Sequence, residues 1–209
     1  MPSRLPTLAR VASASGSLLL ILLVSIVVGC TGEDEQLLVE GALPRLVLQP
    51  EDLSGPWSRF DEGRQLRADS LTGERADPGR FERQDGWKAR YRRSGSPATE
   101  GPLVVESRAD VFAAVSGAEQ DFDAAVEELE GGAAPSQPVE TVELGDEAHS
   151  LQSGGGEPGR FTSVTIVWRE QNIVAALTAN GFSGKLMRAD VVALARKQQQ
   201  HIERALERA

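Results

Sequence analysis

The residue with the most distinctive chemistry is Cys30, the only cysteine in the 209-residue chain. It follows an uncharged stretch whose apolar core runs from Leu18 to Val28, and Gly29 lies immediately before it. A small residue at this point suits a signal peptidase that cuts on the N-terminal side of the cysteine. The sequence therefore predicts that Cys30 becomes the acylated first residue of the mature protein.

The flanking residues favour this interpretation over a membrane-spanning helix. The run VVGC at 27–30 resembles the lipobox of bacterial lipoproteins, and Arg4 and Arg10 supply the charged start of a secretory signal. The apolar core of 11 residues is short for crossing a bilayer, which takes about 20. We expect a signal peptide over residues 1–29 and an acylated, flexible tether over residues 30–41. An uncleaved anchor is the alternative.

Charge limits the partners of the mature chain. Removal of residues 1–29, which contain two bases and no acids, changes the formal net charge from −9 to −11 over 180 residues. Nucleic-acid binding needs a basic surface, so this class of partner is excluded. Residues 100–147 contain thirteen acids and the single base Arg108. We expect a solvated acidic surface there, or a bipolar surface that steers a partner.

The remaining reactive residues form no recognisable catalytic or metal-binding motif. His149 and His201 are the only histidines, and no second cysteine exists to join them in a zinc site. The glycine-rich stretch 154–159 precedes a predicted strand, whereas a dinucleotide-binding motif would open a helix. We therefore predict no cofactor, no metal and no catalytic residue. The alternative is an envelope hydrolase that uses acidic residues, because only the separation of two carboxylates in space identifies such a site.

Hydrophobic periodicity predicts an α+β fold, with an antiparallel sheet and two main helices in one domain over residues 42–209. The helices are expected at about 117–130, where Ser116 and Glu119 match a capping box, and at about 188–207. The predicted strands cover 43–48, a stretch from Trp87, 103–112, 139–144, 148–152 and the hairpin 161–169 with 173–180, and residues 63–85 are expected to form a long excursion.

The chain contains the segment SRADVFAAVSGAEQDFDAAVEELE and, nearer its end, the segments GRFTSVTIVWREQNIVAALTANG and ADVVALARKQQQHIERAL. The last two resemble the closing part of PsbP-like and kinase-sensor-like extracytoplasmic domains of lipoproteins, and the first is similar to the strand-then-helix section of such domains. The resemblance covers residues 87–207. It implies an antiparallel sheet with a long terminal helix and a binding or sensing role, and it supplies no catalytic residues.

The hairpin provides the candidate binding surface. If its turn contains residues 170–172, the bulky face that carries Trp168 belongs to the core. The opposite face is apolar but small, and its residues are Val167, Ala175, Leu177 and Ala179. Either a helix covers this strip, or a small apolar ligand or an envelope protein binds it.

These features predict a protein held on the extracytoplasmic face of the cell membrane by acyl chains, palmitate among them, on Cys30. Its globular domain is expected to bind or sense an unidentified ligand or partner. The large amphipathic residues are further candidates for such a surface, although we expect core packing for each of them: Trp57, Trp87, Tyr91 and Trp168.

Overall fold

A seven-stranded antiparallel sheet forms the centre of the part of the chain that the structure describes. This structure is a computed structural model, and it describes residues 40–65, 79–132, 136–138, 142–157 and 159–209. Across the sheet the strands follow the order β1-β2-β3-β7-β6-β5-β4. The elements are β1 (Ser58–Arg64), β2 (Arg83–Arg92), β3 (Val104–Phe112), α1 (Val115–Glu130), β4 (Ser136–Pro138), β5 (Glu147–Gly154), β6 (Phe161–Glu170), β7 (Ile173–Phe182) and α2 (Arg188–Leu206). The predicted α+β fold is confirmed.

Helix α2 and the N-terminal segment cover one face of the sheet. The helix contributes an apolar stripe at helical spacing, with Val191, Ala195 and Ile202 fully buried. The N-terminal segment adds Leu46 and Leu48, which are also fully buried. A buried aliphatic side chain of this size contributes about 1.5–3 kcal/mol relative to an exposed one, so this layer forms the main core.

Helix α1 covers part of the opposite face. Its residues Ala118, Phe122 and Ala125 pack with Val167 of β6 and Val174 of β7 in a second, smaller core. The part of this face that α1 does not cover is polar on β6 and β7, where the hydroxyl groups of threonines 165 and 178 lie 3.2 Å apart. Among the described residues the two faces of the sheet therefore differ: one lies beneath α2 and the N-terminal segment, and α1 covers only part of the other.

A buried polar seam fixes α2 against the sheet. The Gln198 side chain accepts a hydrogen bond from the Ser107 hydroxyl (2.7 Å), which itself accepts one from the Leu48 backbone N–H (2.9 Å). One residue along, Gln199 accepts a 2.7 Å hydrogen bond from the indole of Trp168. Buried polar groups must find partners, and these bonds are directional. The seam therefore sets the rotation of α2, and with it the positions of the exposed residues on the same helix.

A buried ion pair joins β2 to β3. Arg83 Nε lies 2.6 Å from Asp110 Oδ1, and both side chains are almost fully buried. Gly86 lies opposite Asp110 in the strand register, and a Cβ added there would lie 2.1 Å from that carboxylate oxygen. Glycine is required at this position because the ion pair occupies the space of a side chain.

The two predicted helices are confirmed, but the capping box at the start of α1 is wrong. Ala114 occupies the N-cap position, and no side chain caps the helix there, so Ser116 is not the cap. Gly117 packs closely on the preceding segment, because an added Cβ would lie 2.2 Å from the carbonyl oxygen of Phe81. Tertiary packing, rather than the side chains of the first turn, sets where this helix begins.

Residues 43–48 do not form the predicted strand. A 3₁₀-helix spans Glu40–Arg45 and contains Pro44, which lacks the N–H that a sheet ladder needs. The next residues form no strand, and the Leu48 N–H bonds to a serine side chain instead of to a neighbouring strand. The same apolar residues are buried in either case, which explains why the hydrophobic pattern alone misassigned them.

The other strand predictions divide in the same way. The strands predicted from Trp87, at 103–112, at 148–152 and in the hairpin are confirmed with shifted ends. Within the predicted 139–144 segment, residues 139–141 lie outside the described part, and 142–144 are not a strand. Of the predicted excursion at 63–85, residues 66–78 lie outside the described part. The end of β1 and the start of β2 occupy the first and last residues of the predicted range.

The predicted anchor lies outside the described residues. Cys30, the signal peptide and the tether as far as residue 39 therefore remain predictions. Within the described part, no helix is long and apolar enough to cross a bilayer.

Candidate functional site

Two open grooves flank the helices. The first, here called the α2 groove, has a volume of about 410 Å³ and is lined by residues 52–54 after the turn that begins at Pro50, by Trp57, by the loop after β2 and by the first turns of α2. The second, here called the α1 groove, has a volume of about 490 Å³ and lies between α1 and β5. Both volumes fall in the range of small-molecule sites, so the side chains decide which of them is a candidate.

Trp57 forms the aromatic wall of the α2 groove. The chain reaches it through Gly55, whose φ of +103° only glycine adopts without strain. The indole N–H donates to the Ser54 carbonyl oxygen at 3.2 Å, which fixes the ring, and the ring remains half-exposed. The guanidinium of Arg93 lies 5.3 Å from the ring centroid. An ordered, partly exposed indole is a common contact surface for ligands.

Arg93 is held in place by the loop that it supports. Its Nε donates to the Pro102 carbonyl oxygen at 2.7 Å, and its Nη2 donates to the carbonyl oxygen of Glu100. Gly101, at φ +75°, brings the loop close to the groove, because a Cβ there would lie 3.1 Å from Arg93 Nη2 and 3.5 Å from Asp190 Oδ2. Arg93 is therefore a structural part of the groove wall, with its charge already hydrogen-bonded.

The opposite wall is pinned to the middle of α2. The Asp52 carboxylate lies 2.8 Å from His201 Nε2 and accepts the Gln49 N–H at 2.7 Å. Lys197 Nζ donates to the Asp52 carbonyl oxygen, so that it too is engaged. These bonds tie the 49–52 turn to the helix and so fix the position of Asp52 in the groove wall.

The carboxylates at the mouth of the groove keep free acceptor capacity. The Asp190 carboxylate makes no hydrogen bond or ion pair with another residue in the described part of the chain, and Glu100 has only Lys185 Nζ, at 3.8 Å. Leu53, Pro102 and Leu194 supply apolar lining between them. The groove thus offers an indole, aliphatic surface and two hydrogen-bond-accepting anions.

The α1 groove is acidic and less elaborated. Its rim carries Asp123, Glu127, Glu130 and Glu147, and His149 Nε2 lies 3.5 Å from Glu130 Oε1. Within the described part of the chain, no cluster of three or more histidine, cysteine or acidic side chains has metal-binding geometry. The expected solvated acidic surface is the simplest description of these residues.

The predicted binding strip is not a single surface, because the predicted hairpin register was wrong by one residue. The turn contains only Gln171 and Asn172, since Glu170 pairs with Ile173. Gln171 takes the positive φ of 50°, while Asn172 is buried and donates to the Phe112 carbonyl oxygen at 2.7 Å. A one-residue slip moves every side chain of one strand to the other face.

The four residues of the strip are consequently buried in two different cores. Ala175, Leu177 and Ala179 lie with Trp168 in the main core, on the face that α2 covers. Val167 lies on the opposite face, beneath α1. None of the four is more than 1% exposed, so the strip is withdrawn as a ligand or partner surface.

The aromatic residues divide between the core and the groove. Tyr91 and Trp168 are fully buried, and Trp87 packs half-buried against the main core, as expected. Trp57 also packs partly buried against the main core, as expected, and it is the one of the four that lines a groove. The sequence signal that could have identified it is its position: it directly follows Ser-Gly-Pro, which breaks regular structure and leaves a large side chain in a loop.

The histidine nearest the α2 groove has no ring nitrogen available for catalysis. Arg204 Nη2 lies 2.9 Å from His201 Nδ1, and a guanidinium can only donate, so Nδ1 is the acceptor. Nε2 then carries the hydrogen and donates to Asp52. A general base needs a nitrogen that faces the substrate, and both nitrogens of His201 are occupied by protein atoms.

The comparisons with known proteins identify the fold. No protein-family model matches the chain, and the comparison with curated proteins found no match. Among solved structures, the chain is similar to the crystal structure of the extracellular domain of PknH from Mycobacterium tuberculosis, with a TM-score of 0.58 and 10% sequence identity. The match covers 84% of this chain and 100% of that one. At this identity the likeness shows a shared fold and no more.

Proposed function

We propose that the protein is a lipid-anchored binding and sensing module on the extracytoplasmic side of the membrane, with the α2 groove as its ligand site and no catalytic activity. The observation that carries the proposal is the groove itself, which three separate segments assemble around Trp57. The shared fold supports it, because the similar structure is described as an extracellular domain of PknH.

The side chains of the groove indicate the chemistry of the ligand. Arg93 and Lys197 already give donors to backbone carbonyl oxygens of the groove wall, whereas the carboxylates of Asp190 and Glu100 accept no short hydrogen bond within the described residues. The indole of Trp57 offers an apolar face beside them. A small molecule with hydroxyl or amine donors on an apolar frame, such as a saccharide or a polyamine, fits this arrangement.

The groove favours binding over hydrolysis. Hydrolysis by carboxylates needs one group that is protonated and one that is ionised, in environments that hold their pKa values apart. Asp52 is engaged by His201 and by a backbone N–H, and Glu100 is largely exposed to solvent. Asp190, the third carboxylate of the groove, is also exposed, so neither it nor Glu100 has the enclosed setting that a general acid requires.

The anchor is tested at Cys30. In the Cys30→Ser variant, the label from a clickable fatty acid should disappear and the protein should leave the membrane fraction, because acyl chains supply the affinity for the bilayer. Wild-type protein that takes up no label and yet stays in the membrane fraction would show an uncleaved helix instead.

The groove is tested by filling it. Ala193 is exposed on α2 and lines the groove, so Ala193→Phe should occupy the site without disturbing the core. Ala189→Phe is the matched control, because Ala189 is exposed on the same helix but does not line the groove. Melting temperatures are measured with N-acetylglucosamine disaccharide and with spermidine as probes.

Binding by the native state alone stabilises a protein by about 2.7 kcal/mol at a ligand concentration of 100 Kd. For a domain of this size that corresponds to a rise in melting temperature of about 5–10 °C. We expect the rise in the wild type and in A189F, and its loss in A193F. If the ligand still raises the melting temperature of A193F, the ligand binds somewhere other than the α2 groove.

A further inference from the structure

The part of the sheet that α1 leaves uncovered carries an unusual combination of charge and aromatic side chains. Strand alternation and register place Lys88, Arg90 and Arg92 of β2 on the same face as Arg108 of β3, beside Ala176, which lies under α1. Phe60 at the bulge of β1 belongs to this surface, since the Arg92 guanidinium lies 5.4 Å from its ring. We call this surface the basic face.

The basic face has a surplus of positive charge in an acidic protein. Lys88 and Arg90 lie 3.4 and 3.5 Å from the Asp61 carboxylate, and Arg90 also pairs with Glu106. Arg92 and Arg108 form no ion pair with another residue in the described ranges. Four cations thus meet two anions here, although the mature chain has a formal charge of −11.

Exposed aromatic residues mark both sides of the same end of the sheet. Phe161, at the start of β6, is 59% exposed, and its ring stacks on Phe182 with the centroids 4.6 Å apart. Phe60, at the start of β1, is 45% exposed. In strand alternation Phe161 shares its face with Val167, the residue beneath α1, so it lies on the side of the basic face. Only one other large apolar side chain in the described ranges, Met187, is comparably exposed.

We infer that the basic face docks on the anionic lipid headgroups of the membrane to which the protein is anchored. Arginines and exposed phenylalanines on a broad sheet surface suit the interface between headgroups and acyl chains. The inference rests on the proposed lipid anchor, because Cys30 lies only ten positions before Glu40, where the described structure begins. That length of chain reaches at most about 35 Å, so the domain stays beside the bilayer.

The anchor also makes a weak contact sufficient. Tethering by a short linker gives an effective concentration of about 1 mM, so a headgroup contact of similarly modest affinity is populated. Each cation near an anionic surface changes the partition coefficient by about fivefold. Arg92 and Arg108 carry the surplus charge, so removing these two charges should weaken docking by a measurable amount.

The test uses full-length acylated protein in vesicles of phosphatidylcholine, with and without brominated phosphatidylglycerol. The Phe161→Trp variant carries the probe, and its fluorescence is compared with that of protein without the substitution, which corrects for the native tryptophans. Bromine atoms on the acyl chains quench the fluorescence of an indole only if that indole reaches the acyl chains. We expect extra quenching on phosphatidylglycerol vesicles that falls as salt is added, because salt screens this attraction.

Charge variants identify the surface. Arg92→Ser with Arg108→Ser should weaken docking by about tenfold or more, whereas Arg196→Ser, an exposed site on α2 at the other face of the sheet, should leave it unchanged. Equal quenching in the two variants overturns the inference. The absence of quenching in the unmodified charge background overturns it as well. If the Arg92→Ser, Arg108→Ser variant instead releases an acidic envelope protein, the basic face binds that protein and not the headgroups.

Fatty-acid labelling of the same sample separates the two proposals. A labelled Cys30 without quenching contradicts only the docking of the basic face. An unlabelled Cys30 contradicts the lipid anchor on which the inference rests.

Discussion

Gln198 is the residue through which the sequence should most visibly control the position of α2. It is 0% exposed, its side-chain oxygen accepts the Ser107 hydroxyl at 2.7 Å, and its side-chain nitrogen donates to the Arg108 carbonyl oxygen at 2.9 Å. Methionine has nearly the same shape but neither hydrogen-bonding atom. Gln198→Met therefore removes two buried hydrogen bonds and leaves their partners unsatisfied.

The expected loss of stability follows from these two bonds. Each contributes about 0.5–1.5 kcal/mol, and a buried partner left without a bond costs about 1–3 kcal/mol. After the gain from burying an apolar side chain, we expect the free energy of unfolding to fall by about 2–4 kcal/mol. Gln200→Met is the matched control, because Gln200 is exposed two residues along the same glutamine run, and it should change stability by less than about 0.5 kcal/mol.

Urea unfolding measures both variants, with the midpoint shifted and the slope unchanged if only stability differs. Combining Gln198→Met with Ser107→Ala should be less destabilising than the sum of the single changes, because both break the same bond. Equal midpoints for Q198M and Q200M would refute the seam as the element that holds α2 in place.

Three further predictions concern buried groups. Burial raises the pKa of Glu170, and neighbouring acids add to the effect, so the stability that this carboxyl contributes is present at low pH and lost as the pH rises through its folded pKa. Glu170→Gln should therefore stabilise the protein at neutral pH but not in acid. Thermal melts across the pH range measure this difference. Gly86→Ala should cost about 3–5 kcal/mol in a urea titration by displacing Asp110, whereas Gly63→Ala, with nothing within 4 Å of its added Cβ, should have little effect; equal costs would contradict the packing argument. Burial raises the pKa of Tyr91, the only tyrosine, to about 12, so ultraviolet titration of the folded protein should show tyrosinate forming near pH 12. The associated stability is present below pH 10.0 and lost as the pH rises through about 12. Ionisation near pH 10.0 in the folded protein would contradict the burial of this side chain.

The elements that sequence reasoning placed correctly are those with a strong period and clear ends. Helix α2 repeats apolar residues at helical spacing over 19 residues, and the hairpin strands are long and rich in β-branched residues. The 43–48 segment failed because a short apolar run is equally compatible with a strand and with other buried backbone. Pro44 was the one residue in that segment whose chemistry argued against a strand.

The candidate site failed on a single residue of register. The presence of Asn172 favoured a three-residue turn, but its side chain bonds to Phe112, a residue 60 positions away that local sequence does not reveal. The turn therefore closes over Gln171 and Asn172, and the apolar residues after it change faces. The α2 groove was equally hidden, because Trp57, Arg93 and Asp190 come from distant parts of the chain and meet only in the fold.

The glutamine run of α2 shows a further limit of the pattern. Residues 198–200 are three identical polar side chains, yet two are buried and one is exposed. Their polarity alone would assign all three to a solvated face, because it carries no information about the serine hydroxyl and the indole N–H on the sheet that bond to two of them. Their partners are visible only in three dimensions.

Native mass spectrometry of the protein extracted from its own envelope tests the central claim most directly, since no ligand has to be chosen beforehand. If the α2 groove is the ligand site, wild-type protein and the Ala189→Phe control will carry a bound mass that the Ala193→Phe variant lacks. Identical spectra for the three proteins, with the added mass present in all or absent from all, would contradict the claim.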